Sequence, residues 1–88
     1  MEVVYKEKAL KDIIRWKKSG NLDIQKRISK LIDDIQLHPT KGLGKPEALK
    51  YELTGLWSRE IDKKNRLIYE IADNRIHIIS MLGHYYNK

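Results

Sequence analysis

The chain has 88 residues, 18 of them Lys or Arg against 12 Asp or Glu, for a net charge of +6. A domain of this size buries only about three-fifths of its unfolded surface, and such a charge favours a polyanion or an acidic protein as partner. The absence of cysteine excludes disulfides and thiolate chemistry, and the longest apolar run, Ile76 to Leu82, is interrupted by His77 and Ser80, so no leader or membrane span is expected and a soluble, cytoplasmic protein is.

In chain order, Val3, Val4 and Tyr5 precede a charged run and predict a short strand over Glu2–Lys6, because β-branched and aromatic residues fit a half-buried pleated surface. Glu7–Lys18 is predicted helical, with Ala9, Leu10, Ile13, Ile14 and Trp16 or Lys17 at the three-four spacing of one apolar stripe. Ser19-Gly20-Asn21 ends that helix. Gly20 suits the left-handed C′ position, and Asn21 or Asp23 suits the next N-cap. The second helix has the clearest pattern: Ile24, Ile28, Leu31, Ile32 and Ile35 share a face, Lys26, Arg27, Lys30, Asp33 and Asp34 lie elsewhere, and Pro39 stops it near Leu37. Two helices joined by so short a turn form a hairpin whose apolar stripes need a common surface to cover.

Lys50–Leu53, Leu56–Asp62, Arg66–Ala72 and Arg75–Leu82 read as strands, separated by Thr54-Gly55, Lys63-Lys64-Asn65 and Asp73-Asn74. Connections this short demand antiparallel neighbours. The expected fold class is α+β: an N-terminal strand and a two-helix hairpin packed on a mainly antiparallel sheet of about four to five strands, forming one domain over 1–88. In Arg66–Ala72, Leu67, Tyr69 and Ile71 share one face and Arg66, Ile68 and Glu70 the other. Helices are expected over one face, with a polar site on part of the other.

The stretch from Gly42 to Tyr69 sets Glu47 among Lys45, Lys50, Arg59 and Arg66, and His84 and Tyr85 stand near the end of the sequence. Cleaving RNA without a metal needs a base for the 2′-hydroxyl, cations for the charged phosphorane and an acid for the leaving 5′-oxygen. A carboxylate, an arginine, a histidine and a tyrosine are parts for that chemistry. No cysteine and no paired-histidine spacing calls for zinc, and no cofactor is implied. Ordinary roles stand beside these. Glu47 is either a reactive carboxylate or a solvated one, and Arg66 either holds phosphate or pairs across strands with Glu60 or Glu70. Arg59 lies between Trp57 and Ile61 in strand parity, so it either shares a partly buried face or marks an irregularity. Lys63 and Lys64 form a basic turn suited to phosphate or simply to solvent. His38 reads as a helix end and His77 as structural. His84, Tyr85 and Tyr86 serve either as acid and base-stacking groups or as a packed terminus.

The segments GKPEALK, LTGLWSR, RLIY and the closing His-Tyr occur here in order and at family-like spacing, and in them the chain resembles the YoeB-type toxins of the RelE superfamily along essentially its whole length. The resemblance implies a RelE-like fold and a messenger-RNA endoribonuclease that cuts in the ribosomal A site, with Glu47 as general base, His84 as general acid, Arg66 stabilising the transition state and Tyr85 positioning the substrate. Lys50 and Arg59 match basic family positions near the scissile phosphate, and Lys45, Lys63 and Lys64 are further candidate contacts to the message. A YefM-like antitoxin is implied as partner, often with the toxin as a homodimer. Two other readings carry different chemistry. A ParE-like member of the same fold inhibits a protein target such as gyrase and does not need Glu47, Arg66 and His84 together; a plain basic RNA-binding domain loses nothing when Glu47 is removed.

Overall fold

A computed structural model describes residues 1–83. The elements run β1 (Glu2–Tyr5), α1 (Glu7–Ser19), α2 (Leu22–Leu37), β2 (Glu47–Ala48), a 3₁₀ turn (Tyr51–Leu53), β3 (Leu56–Glu60), β4 (Arg66–Ala72) and β5 (Arg75–Ser80). The strands form a single sheet in the order β1-β5-β4-β3-β2, antiparallel throughout except where β1 lies parallel to β5. The long connection between them, which contains both helices and the other three strands, allows that parallel pairing, which no tight turn can make. The α+β class expected from the sequence is the one observed, with the first strand at the far edge of the sheet.

Both helix boundaries follow local chemistry. Gly20 takes φ 71 and donates its N–H to the Lys17 carbonyl, and the Asn21 side chain accepts the Ile24 N–H at 3.1 Å. Ile28, Leu31 and Ile35 of α2 and Ala9 of α1 pack on Leu67, Tyr69, Ile76, Ile78 and Met81 to form the core on one side of the sheet. The stripe of α1 is rotated from the expected one. Leu10 and Ile14 are 50% and 53% exposed, whereas Asp12 is 3% exposed and faces inward beside Ala9. One carboxylate oxygen gathers its partners: Oδ2 accepts the Met81 N–H at 2.9 Å and the Lys8 ammonium at 2.7 Å. A buried, charge-assisted acceptor of this kind satisfies a backbone donor that the sheet no longer serves.

That same contact explains why β5 stops at Ser80 and not at Leu82. The Met81 N–H donates to Asp12, its carbonyl accepts Trp16 Nε1–H at 2.7 Å, and Lys8 donates to the Leu82 carbonyl at 3.1 Å. The expected strand over Lys50–Leu53 is also absent. Tyr51 has φ 59, Leu53 N–H donates to the Lys50 carbonyl and Thr54 N–H to the Tyr51 carbonyl, so the segment turns and cannot extend. Pairing with β3 occurs earlier, through Glu47 and Ala48. At the other hairpin, β3 ends at Glu60 because the Asp62 carboxylate accepts the N–H groups of Lys64 and Asn65 at 2.8 and 2.7 Å, an Asx-type turn.

Candidate functional site

Strand register decides which side chains meet. Glu47 pairs with Ser58, Ser58 with Ile68, and Glu60 with Arg66. Paired residues project to the same side of a sheet and alternate along each strand, so Glu47, Ser58, Glu60, Arg66, Ile68 and Glu70 share the face opposite the helices. The helix side takes Trp57, Arg59, Leu67, Tyr69 and Ile71. Glu47 stands two strands from Ile68, about 10 Å at the usual strand spacing. The Arg66 guanidinium closes much of that gap, since its Nη1 donates to Ser58 Oγ at 3.3 Å, and Ser58 is the register partner of Glu47. A carboxylate and a guanidinium therefore lie on one patch of this face, on either side of a buried serine. Such a patch can bind a phosphate beside a group able to take a proton.

Other expected members surround this patch. Lys45 is exposed in the left-handed region at φ 52, and its Nζ lies 3.9 Å from Glu60 Oε1. Lys50 is exposed where the chain enters the 3₁₀ turn, and Lys63 and Lys64 are exposed at the tip of the β3–β4 hairpin. His84 and Tyr85 lie outside the described residues. Gly83, to which His84 is bonded, is tied to the same hairpin: it accepts the Arg66 N–H at 3.0 Å and donates to Asn65 Oδ1 at 2.8 Å.

Arg59 departs from the expectation of a phosphate contact. It is 0% exposed, on the helix side of the sheet, and its donors are all turned to the protein. Nε donates to the Tyr69 hydroxyl at 3.2 Å, Nη1 to Asp34 Oδ2 at 2.5 Å and to the Leu43 carbonyl at 3.0 Å, and Nη2 to the carbonyls of His38 and, at 2.8 Å, Lys41. The planar fork of a guanidinium can gather acceptors arranged in this way, where an ammonium could not. Tyr69 completes the cluster by donating to the Pro39 carbonyl at 2.6 Å. This cluster ties down the irregular chain between α2 and β2. Gly42 is required there, with φ 110 and a hypothetical Cβ only 2.2 Å from Asp34 Oδ2. The path continues through Gly44, whose carbonyl accepts the Glu60 N–H at 2.7 Å, to Lys45, Pro46 and Glu47. Arg59 thus acts on the patch from behind, by fixing the loop that leads into Glu47.

The electrostatics of the cluster follow its geometry. The hydrogen bond from Arg59, with that from the Leu43 N–H, holds the Asp34 carboxyl below the usual carboxylate range. Burial pushes the Tyr69 phenol up, opposed by its hydrogen bond from Arg59. Asp34 and Asp12 are the residues that sequence reasoning missed. Both sit among helical charges with no motif around them, and only their distant partners distinguish them from solvated acids.

Among the described residues, no group of three or more His, Cys or acidic side chains gathers where a metal could be held, and no helix is long and apolar enough to cross a membrane. His77 lies on the open face opposite Glu70, with Nε2 3.2 Å from the Ala72 carbonyl, away from Glu47. A recess between the helices, lined by Tyr5, Ile13, Trp16, Ile28, Ile32 and Met81 with Lys17, Gln25 and Ser29, lies on the other side of the sheet.

Comparison with known proteins gives the family and the fold. Residues 5–85 match the family model described as the YoeB-like toxin of bacterial type II toxin-antitoxin systems. The chain is 40% identical over 85 residues to Toxin YoeB of Streptomyces coelicolor, covering 97% of this chain and 100% of the relative. Its fold is similar to that of a YoeB/ParE toxin from Agrobacterium tumefaciens, with TM-score 0.92, 31% identity, and coverage of 97% and 100% of the two chains. It is also similar to YoeB of Staphylococcus aureus, solved as a dimer, with TM-score 0.83, 34% identity and coverage of 97% and 98%. The same toxin in a heterotetrameric YoeB-YefM complex gives TM-score 0.82 at 34% identity and the same coverage. With the model match spanning nearly its whole length, the chain belongs to the YoeB-like toxins of bacterial type II toxin-antitoxin systems.

Proposed function

We propose that this toxin is an endoribonuclease that cuts messenger RNA in the ribosomal A site, acting in the cytoplasm and held inactive by a YefM-like antitoxin, with a homodimer as its own assembly. The observation that carries the reading is the shared face: Glu47 and Arg66 project from β2 and β4 on either side of Ser58, and the chain that leads to His84 is tied at Gly83 to Arg66 and Asn65. The partner and the dimer are carried over from the assemblies solved for the Staphylococcus aureus protein.

In this mechanism Glu47 takes the proton of a 2′-hydroxyl. The 2′-oxygen attacks phosphorus, a P–O2′ bond forms, and the P–O5′ bond breaks as His84 gives its proton to the departing 5′-oxygen. The products are a 2′,3′-cyclic phosphate and a free 5′-hydroxyl. Arg66 neutralises the charge that builds on the phosphorane, and a guanidinium fixed before the reaction does so without reorganisation. Tyr85 positions the substrate, and Lys45, Lys50, Lys63 and Lys64 contact flanking phosphates. The ribosome supplies what so small an open site lacks, an in-line geometry imposed on the message, and its RNA draws a basic protein from a distance.

The test is cleavage of a ribosome-bound message with a defined A-site codon by the native protein and by Glu47→Ala, Arg66→Ala and His84→Ala. Each substitution is expected to slow cleavage by about 10²-fold or more, the usual contribution of a general acid or base or of one charge-stabilising donor, with ribosome binding retained. Absence of cleavage by the native protein, or full activity of the variants, refutes the nuclease reading and leaves inhibition of a protein target, as in ParE-like toxins, as the activity to assay.

A further inference from the structure

The open face carries a second carboxylate that the proposed chemistry does not use. Glu60 is the register partner of Arg66. Its N–H points away from β4, to the Gly44 carbonyl, and the Arg66 N–H points away from β3, to the Gly83 carbonyl. The two residues are therefore a non-hydrogen-bonded cross-strand pair, the kind whose side chains come closest, with Cβ atoms about 4.5–5.5 Å apart. From the other side Lys45 reaches Glu60 Oε1 at 3.9 Å, with the Glu60 side chain 33% exposed and that of Lys45 85% exposed. An acid that flanks two cations on the face where a phosphate would be bound occupies, in charge if not in shape, the place of that phosphate.

We propose that Glu60 is a specificity-determining residue that acts as a resident anion: it pairs with Lys45 beside its cross-strand neighbour Arg66 in the free protein, must be displaced or outcompeted by an RNA phosphate, and so weakens capture of free single-stranded RNA. The Lys45–Glu60 pair is solvent-exposed and costs little to break, so a phosphate already aligned by a larger assembly displaces Glu60 readily. A flexible RNA that must also lose conformational freedom gains too little to do so. The consequence for selectivity rests on the nuclease reading, whereas the binding effect does not.

The experiment measures affinity for a fluorescein-labelled single-stranded RNA made entirely of 2′-O-methyl nucleotides, which cannot be cleaved through the 2′-oxygen, by anisotropy across a range of salt. Native protein is compared with Glu60→Gln, with Lys45→Ala, with the double variant, and with Asp73→Asn at the remote β4–β5 turn, which changes net charge equally. Glu60→Gln is expected to tighten binding about three- to tenfold at low salt and to steepen the dependence of log affinity on log salt by about 0.7, the value of one further phosphate contact on a single strand. Asp73→Asn should have a smaller effect on both, and the gain from Glu60→Gln should shrink in the Lys45→Ala background. Equal effects of Glu60→Gln and Asp73→Asn, or a full gain without Lys45, overturn the proposal. Because the RNA cannot be cut, that failure is separate from a failure of native protein to cleave a ribosome-bound message.

Discussion

Replacing Asp34 by asparagine keeps the size of a side chain that sits against a fully buried guanidinium and removes its charge. In the native protein Asp34 Oδ2 accepts Arg59 Nη1 at 2.5 Å and the Leu43 N–H at 3.0 Å. Arg59 has no access to water, so without that carboxylate its charge is met by the carbonyls of His38, Lys41 and Leu43 and by the Tyr69 hydroxyl. Hydrogen bonds to charged groups contribute about 1.5–3 kcal/mol each. Asparagine retains one neutral acceptor, so a loss of about 2 kcal/mol is expected. A domain of 88 residues has a total stability of about 4–13 kcal/mol, and the loss corresponds to a fall in Tm of about 10 °C. The sign of the pH dependence follows from the depressed Asp34 pKa. Its ionised form is favoured by folding, so its contribution is complete above the unfolded value of about 3.9 and drains away as pH falls through the lower folded value. Urea unfolding followed by the fluorescence of Trp16 and Trp57 should therefore show a gap between native and Asp34→Asn proteins that is full at pH 7 and narrows below about pH 4. A gap under about 0.5 kcal/mol at pH 7, at the scale of an ordinary surface substitution, or one that stays constant into strong acid, refutes this account of the cluster.

Asp12→Ala leaves the Met81 N–H without its acceptor in a buried place, so a loss of about 1–3 kcal/mol is expected. Hydrogen exchange should reveal it at the Met81 amide, which speeds up relative to the amides of β4; unchanged protection there would show that the sheet serves this donor and Asp12 does not. Two glycines with positive φ should differ sharply on substitution by alanine. Gly20→Ala meets nothing within 4 Å and carries only the left-handed strain, about 1–2 kcal/mol. Gly42→Ala adds a Cβ at 2.2 Å from Asp34 Oδ2, so it should be the more damaging by a clear margin in chemical denaturation, and equal effects would contradict the close approach.

The helices, their caps and four of the five strands are legible in the sequence because their causes are local. Side-chain period, a glycine past the helix end, an asparagine before the next helix and a proline beyond it act within a few residues of one another. Composition also limits the chemistry, since a basic chain without cysteine offers carboxylates, arginines and histidines and no thiol. What the sequence could not determine was which polar residues leave the surface. Asp12, Asp34 and Arg59 look like their solvated neighbours, and the contacts that distinguish them span 69 residues for Asp12 to Met81 and 25 for Asp34 to Arg59. Burying a charge is favourable only when its partners are brought to it, and that is a property of the packed helices and sheet. The tertiary structure alone decided that Arg59 braces the loop from behind while Arg66 faces outward with Glu47. Residue alternation sorts the side chains within one strand, but only strand register puts the two arginines on opposite sides, and only the packing of the helices shows which side is covered.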